Sequence, residues 1–277
     1  MISVETDLVT LAVTVVDPRG RFVPGLSRQQ FRVYDNGEPR AIELFTSEDL
    51  PATVGLVIDS SSSMRGRRDE VTAAAVAFAG FSHPLDELFT VNFNEAIWTG
   101  LPPYVPFAEN VEQLRAALSR APAQGMTALY DAVDVALNHL QLGTRDRRVL
   151  ILVGDGGDNA SALTLDRVVE HARRAGALIF SVMLADPDDR EAKPSVLKKL
   201  ARETGGVMFA PERVQGVMDA FTQIAREIRS GYTIGFSPPD SDGFRAVRVV
   251  VDPGDGRQLL VRTRTGYYAG RSRHGGG

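Results

Sequence analysis

Hydrophobic and polar positions change rhythm twice along the chain. Between Leu8 and Val16, the residues Val9, Leu11, Val13 and Val15 alternate with Thr10, Ala12 and Thr14, which is the period of a strand buried on one face. The run FRVYDNGEPRAIELF at 31–45 repeats the alternation on both sides of Asn36 and Gly37, residue types that accept the positive φ of a tight hairpin turn. From Val54 the pattern changes: VGLVI (54–58), LFTVNF (88–93), RVLILV (148–153) and ALIFSVML (177–184) are nearly unbroken apolar runs. Such runs predict strands covered on both faces, as in a largely parallel sheet. Helical periodicity fills the intervals at 69–81, 111–120, 128–142, 165–175, 195–203 and 214–229. The four residues NEAI are too few for a crossover, so LFTVNF and IWTGL are expected to form a hairpin. After Ser230 the β rhythm returns in YTIGF (232–236), FRAVRVVV (244–251) and LLVRTR (259–264), separated by the turn sequences SPPDSDG and DPGDG.

These elements predict an α/β fold: a doubly wound, Rossmann-like, mostly parallel sheet over residues 51–230. It is expected to be inserted in a small β-sandwich built from the N-terminal flank (1–50) and the C-terminal flank (231–268), because neither flank alone offers enough strands for independent stability. Residues 269–277 read as a disordered tail.

Composition narrows the function. The chain has 277 residues, 43% hydrophobic and 24% charged, with 31 basic and 35 acidic side chains and a net charge of −4, so nucleic acid is not the default partner. No apolar run approaches the roughly 20 residues that span a bilayer, and Met1 leads into alternating sequence without a basic and apolar leader. A chain with neither membrane span nor signal peptide is therefore expected. There is no cysteine, which removes thiolate ligands and nucleophiles, and the four histidines His83, His139, His171 and His274 lack zinc-motif spacing. Any metal is expected on oxygen.

Oxygen ligands gather where an open α/β sheet binds ligands, at the carboxyl ends of its strands. VGLVIDSSSSMR delivers Asp59 and then four serines directly off a core strand, GMTALYDA carries Thr127, and VGDGGDN places Asp155 after the run RVLILV. In that order Asp59, Ser61, Ser63, Thr127 and Asp155 reproduce the pattern D-x-S-x-S, threonine, aspartate, and the phrases GLVIDSSSSM, GMTALYDAV and ILVGDGGDN resemble the von Willebrand factor A domain family with its metal-ion-dependent adhesion site. The flanking phrases VTVVDPRGRFVPGLSRQQFRVYDNGEPRAIELF, GYTIGF and TRTGYY resemble the bacterial VWFA-related subgroup of that family.

The resemblance implies Mg²⁺ or Mn²⁺ held directly by Ser61, Ser63 and Thr127, with Asp59 and Asp155 acting mainly through water. It further implies a noncatalytic, adhesion-type module whose cation recruits an Asp or Glu carboxylate of a protein partner, and an extracytoplasmic location. The residue types suit that chemistry, because Mg²⁺ prefers six oxygens and parts reluctantly with its waters. Two positions depart from the family pattern: Ser62 stands where glycine is frequent, and Gly154 where serine or threonine often precedes the aspartate. Asp59 and Ser61 have an alternative reading as caps of the following helix. Asp158 and Asn159 read as turn-shaping residues, Asp131 as a polar residue of its helix's first turn, and Arg65, Arg67 and Arg68 as a solvated helix start that could also attract an acidic partner. A metal-assisted hydrolase and a structural domain with no metal-mediated partner are the alternative functions.

Overall fold

The structure, a computed structural model, describes residues 8–119, 124–184 and 192–269. Arg120, at the end of the second expected helix, and residues 270–277 of the expected tail lie outside the described residues. The N-terminal residues form β1 (Val9–Val16), β2 (Phe31–Asp35), β3 (Glu38–Arg40) and β4 (Leu44–Thr46). Then follow β5 (Ala52–Asp59), α1 (Arg68–Phe81), β6 (Glu87–Phe93), β7 (Ile97–Thr99), α2 (Val111–Ser119) and α3 (Leu129–Leu140). The chain continues through β8 (Arg147–Gly154), α4 (Leu165–Ala175), β9 (Leu178–Met183), α5 (Pro194–Thr204), β10 (Met208–Phe209) and α6 (Val214–Ser230). Strands β11 (Tyr232–Phe236), β12 (Gly243–Val251), β13 (Leu260–Arg262) and β14 (Gly266–Ala269) follow. The chain divides into two compact units, Leu50–Ile228 and the residues on either side of it.

In the central unit six strands run in the order β10-β9-β8-β5-β6-β7, all parallel except β7, which returns antiparallel to β6 through the short NEAI link. Every residue of β5 is buried. Alternate residues of β5 enter different cores: Val54, Leu56 and Ile58 pack with α1 and α6, whereas Val57 packs with α3, α4 and α5. That double coverage is why the apolar runs show so little alternation. Helices α4 and α5 stop at Gly176 (φ +64°) and Gly205 (φ +92°), left-handed positions that end a helix cheaply only with glycine.

The flanking residues form two four-stranded sheets, β13-β1-β11-β4 and β14-β12-β2-β3, each containing strands from both ends of the chain. Leu11, Val13 and Val15 of β1 share one core with Phe31 and Val33 of β2, Ile234 of β11 and Val247 and Val249 of β12. The two sheets are therefore packed face to face. The hairpin turn at Asn36 (φ +49°) and Gly37 (φ +86°) forms as expected. Its second arm is shorter than the alternation predicts: β3 pairs with β2 only over Glu38–Arg40, and β4 pairs with β11 in the other sheet. Ile42, buried between them, enters the shared core as the chain changes sheets. LLVRTRTGYYA divides in the same way, β13 pairing with β1 and β14 with β12.

Tyr232 ties the two ends of the chain together. Its ring lies 5.0–5.8 Å from those of Phe22, Phe31 and Phe45. Its hydroxyl donates to the Val23 carbonyl at 2.8 Å and accepts from the Leu26 N–H at 3.1 Å. Tyr232→Phe keeps the ring and removes both bonds, so it should destabilise the flanking unit by about 1–3 kcal/mol. Denaturant unfolding followed by hydrogen exchange at Val23–Leu26 checks this; unchanged protection there would show that the hydroxyl is dispensable.

Candidate functional site

The winding of the sheet creates the crevice. The chain leaves β5 toward β6 and β7 on one side and later returns to β8, β9 and β10 on the other, so the direction of winding reverses between the neighbours β5 and β8. Ile58 pairs with Val153, which puts Asp59, the last residue of β5, and Asp155, just after β8, at the same end of adjacent strands. The loop before α3 supplies Thr127 to the same edge.

Four of the five expected site residues, Ser61, Ser63, Thr127 and Asp155, line one cavity of about 550 Å³. Asp59 does not line it and is only 1% exposed. The Ser61 hydroxyl lies 3.0 Å from that of Ser63, and the Ser63 hydroxyl donates to Asp155 Oδ2 at 2.7 Å. The N–H groups of Ser61 and Gly157 donate to Asp59 Oδ1 and Asp155 Oδ1, each at 2.7 Å. Burial pushes the Asp59 carboxyl up to about 7, opposed by the N–H and hydroxyl of Ser61 and reinforced by the nearby Asp155 charge. Ser61 is the N-cap residue of a 3-10 turn at Ser62–Met64, without a side-chain capping bond, and α1 has Arg67 at its N-cap, so neither Asp59 nor Ser61 caps α1. Arg68 donates to the Leu118 carbonyl at 3.0 Å and Arg67 approaches Glu70 at 3.9 Å, leaving Arg65 as the exposed member of that basic group.

The loops are braced against one another by residues that looked like ordinary turn formers. Asn159 Oδ1 accepts from the Thr127 N–H at 2.8 Å, and the Thr127 carbonyl accepts from the N–H groups of Asn159 and Ala160 at 3.0 and 3.1 Å. Asp158 Oδ2 accepts from the Tyr130 N–H and the Ser161 hydroxyl, while Asp131 accepts from the N–H groups of Ala162 and Leu163. Glu95, in the β6–β7 turn, has no local sequence signal at all. Its carboxylate accepts from the Met126 N–H at 2.5 Å and occupies the space beside Gly125, where a Cβ would lie 1.7 Å from Glu95 Oε2.

Both departures from the family pattern have local consequences. The Ser62 N–H and hydroxyl each point to the Gly125 carbonyl, at 3.4 and 3.3 Å, and so link the serine loop to the Thr127 loop. A Cβ at Gly154 would stand 3.0 Å from Asp59 Cβ and Oδ2, so glycine there leaves room for the Asp59 carboxylate.

The donor set is two carboxylates and three hydroxyls. Among the described residues no group of three or more His, Cys, Asp or Glu side chains is placed to hold a metal. No helix among the described residues is long and apolar enough to cross a membrane.

Residues 54–157 match the sequence profile of the von Willebrand factor type A domain. A search of curated proteins finds no match. Among solved structures, a von Willebrand factor type A protein from Catenulispora acidiphila superposes with a TM-score of 0.59 at 12% identity, covering 96% of this chain and 75% of its own. The von Willebrand factor domain of the type V pili tip protein Mfa5 from Porphyromonas gingivalis aligns at TM-score 0.53 and 14% identity, over 65% of this chain and 95% of that one. An aerotolerance-related membrane protein from Bacteroides fragilis, bearing multiple mutations to serine, aligns at 0.52 and 15% identity, over 64% and 98% respectively. At these identities the likeness is one of fold.

Gly125 is a position where the bracing tolerates little, since its φ is +81° and the Glu95 carboxylate fills the side-chain space. Gly125→Ala should cost about 1–2 kcal/mol from the left-handed backbone alone and displace Glu95. Thermal unfolding combined with NMR of the Met126 N–H checks this; an unshifted Met126 resonance would contradict the tight packing.

Proposed function

From the premise that the central unit of the chain is a von Willebrand factor type A domain, we propose that it holds one Mg²⁺ or Mn²⁺ at Asp59, Ser61, Ser63, Thr127 and Asp155 and thereby recruits an Asp or Glu carboxylate of a protein partner, without catalysing a reaction. The observation that carries this reading is the spacing of the oxygens. Ligands at right angles around Mg²⁺, each about 2.0–2.1 Å from it, stand about 2.9 Å apart. The Ser61–Ser63 hydroxyl separation of 3.0 Å is close to that value. That separation supports the two hydroxyls as neighbouring ligands in this reading.

In this reading Ser61, Ser63 and Thr127 hold the ion as neutral ligands, and Asp59 and Asp155 supply negative charge behind them. Bound in that way, the ion supplies Lewis acidity to an incoming carboxylate. Asp59 sits at the rigid end of a fully buried strand and orients the serine loop through the Ser61 N–H, so its place does not depend on the ligand. The cross-braces through Asn159 and Glu95 do the same for Thr127.

Calorimetry should show one divalent ion bound per chain at millimolar concentration or below, with a rise in unfolding temperature reversed by EDTA. Asp59→Ala should abolish that binding. Thr127→Ala should leave the fold intact and weaken capture of a partner by at least about tenfold, or about 1.4 kcal/mol, in pull-downs with Mg²⁺. Absence of divalent binding would remove the reading. Turnover of simple phosphate or ester substrates that disappears in Asp59→Ala would assign the site to hydrolysis instead.

A further inference from the structure

The cavity contains one basic side chain among its lining residues, Lys193, alongside Asp155, Asp158 and the site hydroxyls. Its backbone is fixed against the site. The Lys193 N–H donates to the Asp155 carbonyl at 3.0 Å, and its own carbonyl lies 2.4 Å from where a Cβ on Gly156 would stand, so the two loops touch backbone to backbone. The side chain is exposed and makes no ion pair among the described residues. The acidic groups beside it are already engaged: Asp155 with Ser63 and Gly157, and Asp158 with Tyr130 and Ser161.

Lys193 is also placed against local preference. It is the N-cap residue of α5, makes no capping bond, and the first turn of α5 has no acidic residue. Asp, Asn, Ser or Thr is favoured at such a position, and a cation at the positive end of a helix dipole is disfavoured. A local rule broken without structural return is characteristic of functional positions. The cavity, at about 550 Å³, is on the scale of clefts that enclose a small ligand, more than one carboxylate requires.

Resting on the metal-dependent reading above, we propose that Lys193 sets the choice of partner by pairing with a second carboxylate, so that the fitting occupant is a short segment with two closely spaced acidic residues. One carboxylate goes to the cation and its neighbour to the Lys193 ammonium. Asp155 and Asp158 make the cavity acidic when no cation is bound, so Lys193 alone does not retain such a segment. Its contribution is selectivity added to the metal contact, of the modest size usual for a solvent-exposed ion pair.

The test uses the full chain with saturating Mg²⁺ and fluorescein-labelled peptides read by anisotropy. The probes are C-terminally amidated Gly-Gly-Asp-Gly-Gly and four amidated diacidic versions in which Glu replaces the glycine one or two positions to either side of Asp. The best diacidic peptide should bind wild type about three- to fivefold more tightly than the monoacidic one. Lys193→Arg should keep that preference. Lys193→Met should reduce it to less than about twofold while leaving monoacidic affinity unchanged. A preference that persists in Lys193→Met, or is absent from wild type, overturns the proposal. Loss of monoacidic binding in Lys193→Met would place the lysine on the metal-bound carboxylate itself and overturn it too. If the protein binds Mg²⁺ yet no peptide at all, the carboxylate-recruiting reading fails, and this inference with it.

Discussion

The site depends on the cost of burying two carboxylates close together at the ends of neighbouring strands. Asp59 and Asp155 are 1% and 4% exposed, and the sheet register that places them there is fixed by β5 and β8, paired from Ala52 to Ile58. Buried like charges are tolerated only when hydrogen-bonded or neutralised. Here N–H groups of the strand-end turns and the hydroxyls of Ser61 and Ser63 carry part of that burden. What they leave uncompensated is the upward displacement of the Asp59 carboxyl. In the proposed reading, a divalent cation beside Ser61 and Ser63 would offset that charge.

Rigidity around this pair is supplied from a distance. The serine loop is tied through Ser62 to Gly125, Gly125 packs against Glu95, and Thr127 is held on both its N–H and its carbonyl by the loop after β8. Three segments far apart in sequence therefore act as one bonded rim. In this chain the serine at 62 is a link between loops, and the glycine at 154 is room for Asp59. Lys193, held to Asp155 through the backbone, extends the rim and gives it a charge of the opposite sign.

Elements with an unambiguous period were legible in the sequence, and elements that change partners were not. The runs ending at Ile58, Phe93 and Val153 became strands because burial on both faces leaves a continuous apolar signature. Leu44–Thr46 and Gly266–Ala269 each change sheets partway through an alternating run. The period of two stays the same whichever sheet the strand joins, so the change leaves no trace in the pattern. Strand β10 spans only Met208–Phe209, too short for any period. The candidate site residues stood out because each lies near a strand or helix end that could be located. Glu95 and Asn159 did not, since each acts through a backbone N–H about thirty residues away, 31 and 32 respectively. Lys193 was masked by its position, a helix cap where a lysine carries no expected signal.

The central claim, that these five residues form one divalent-cation site, is tested most directly by crystals of the full chain grown with MnCl₂ and examined by anomalous scattering. The account predicts one strong manganese peak bounded by the hydroxyls of Ser61, Ser63 and Thr127 with the carboxylates of Asp59 and Asp155 behind it, and loss of that peak in Asp59→Ala. A wild-type map with no peak there at saturating manganese, or with the peak on another part of the chain, would contradict it.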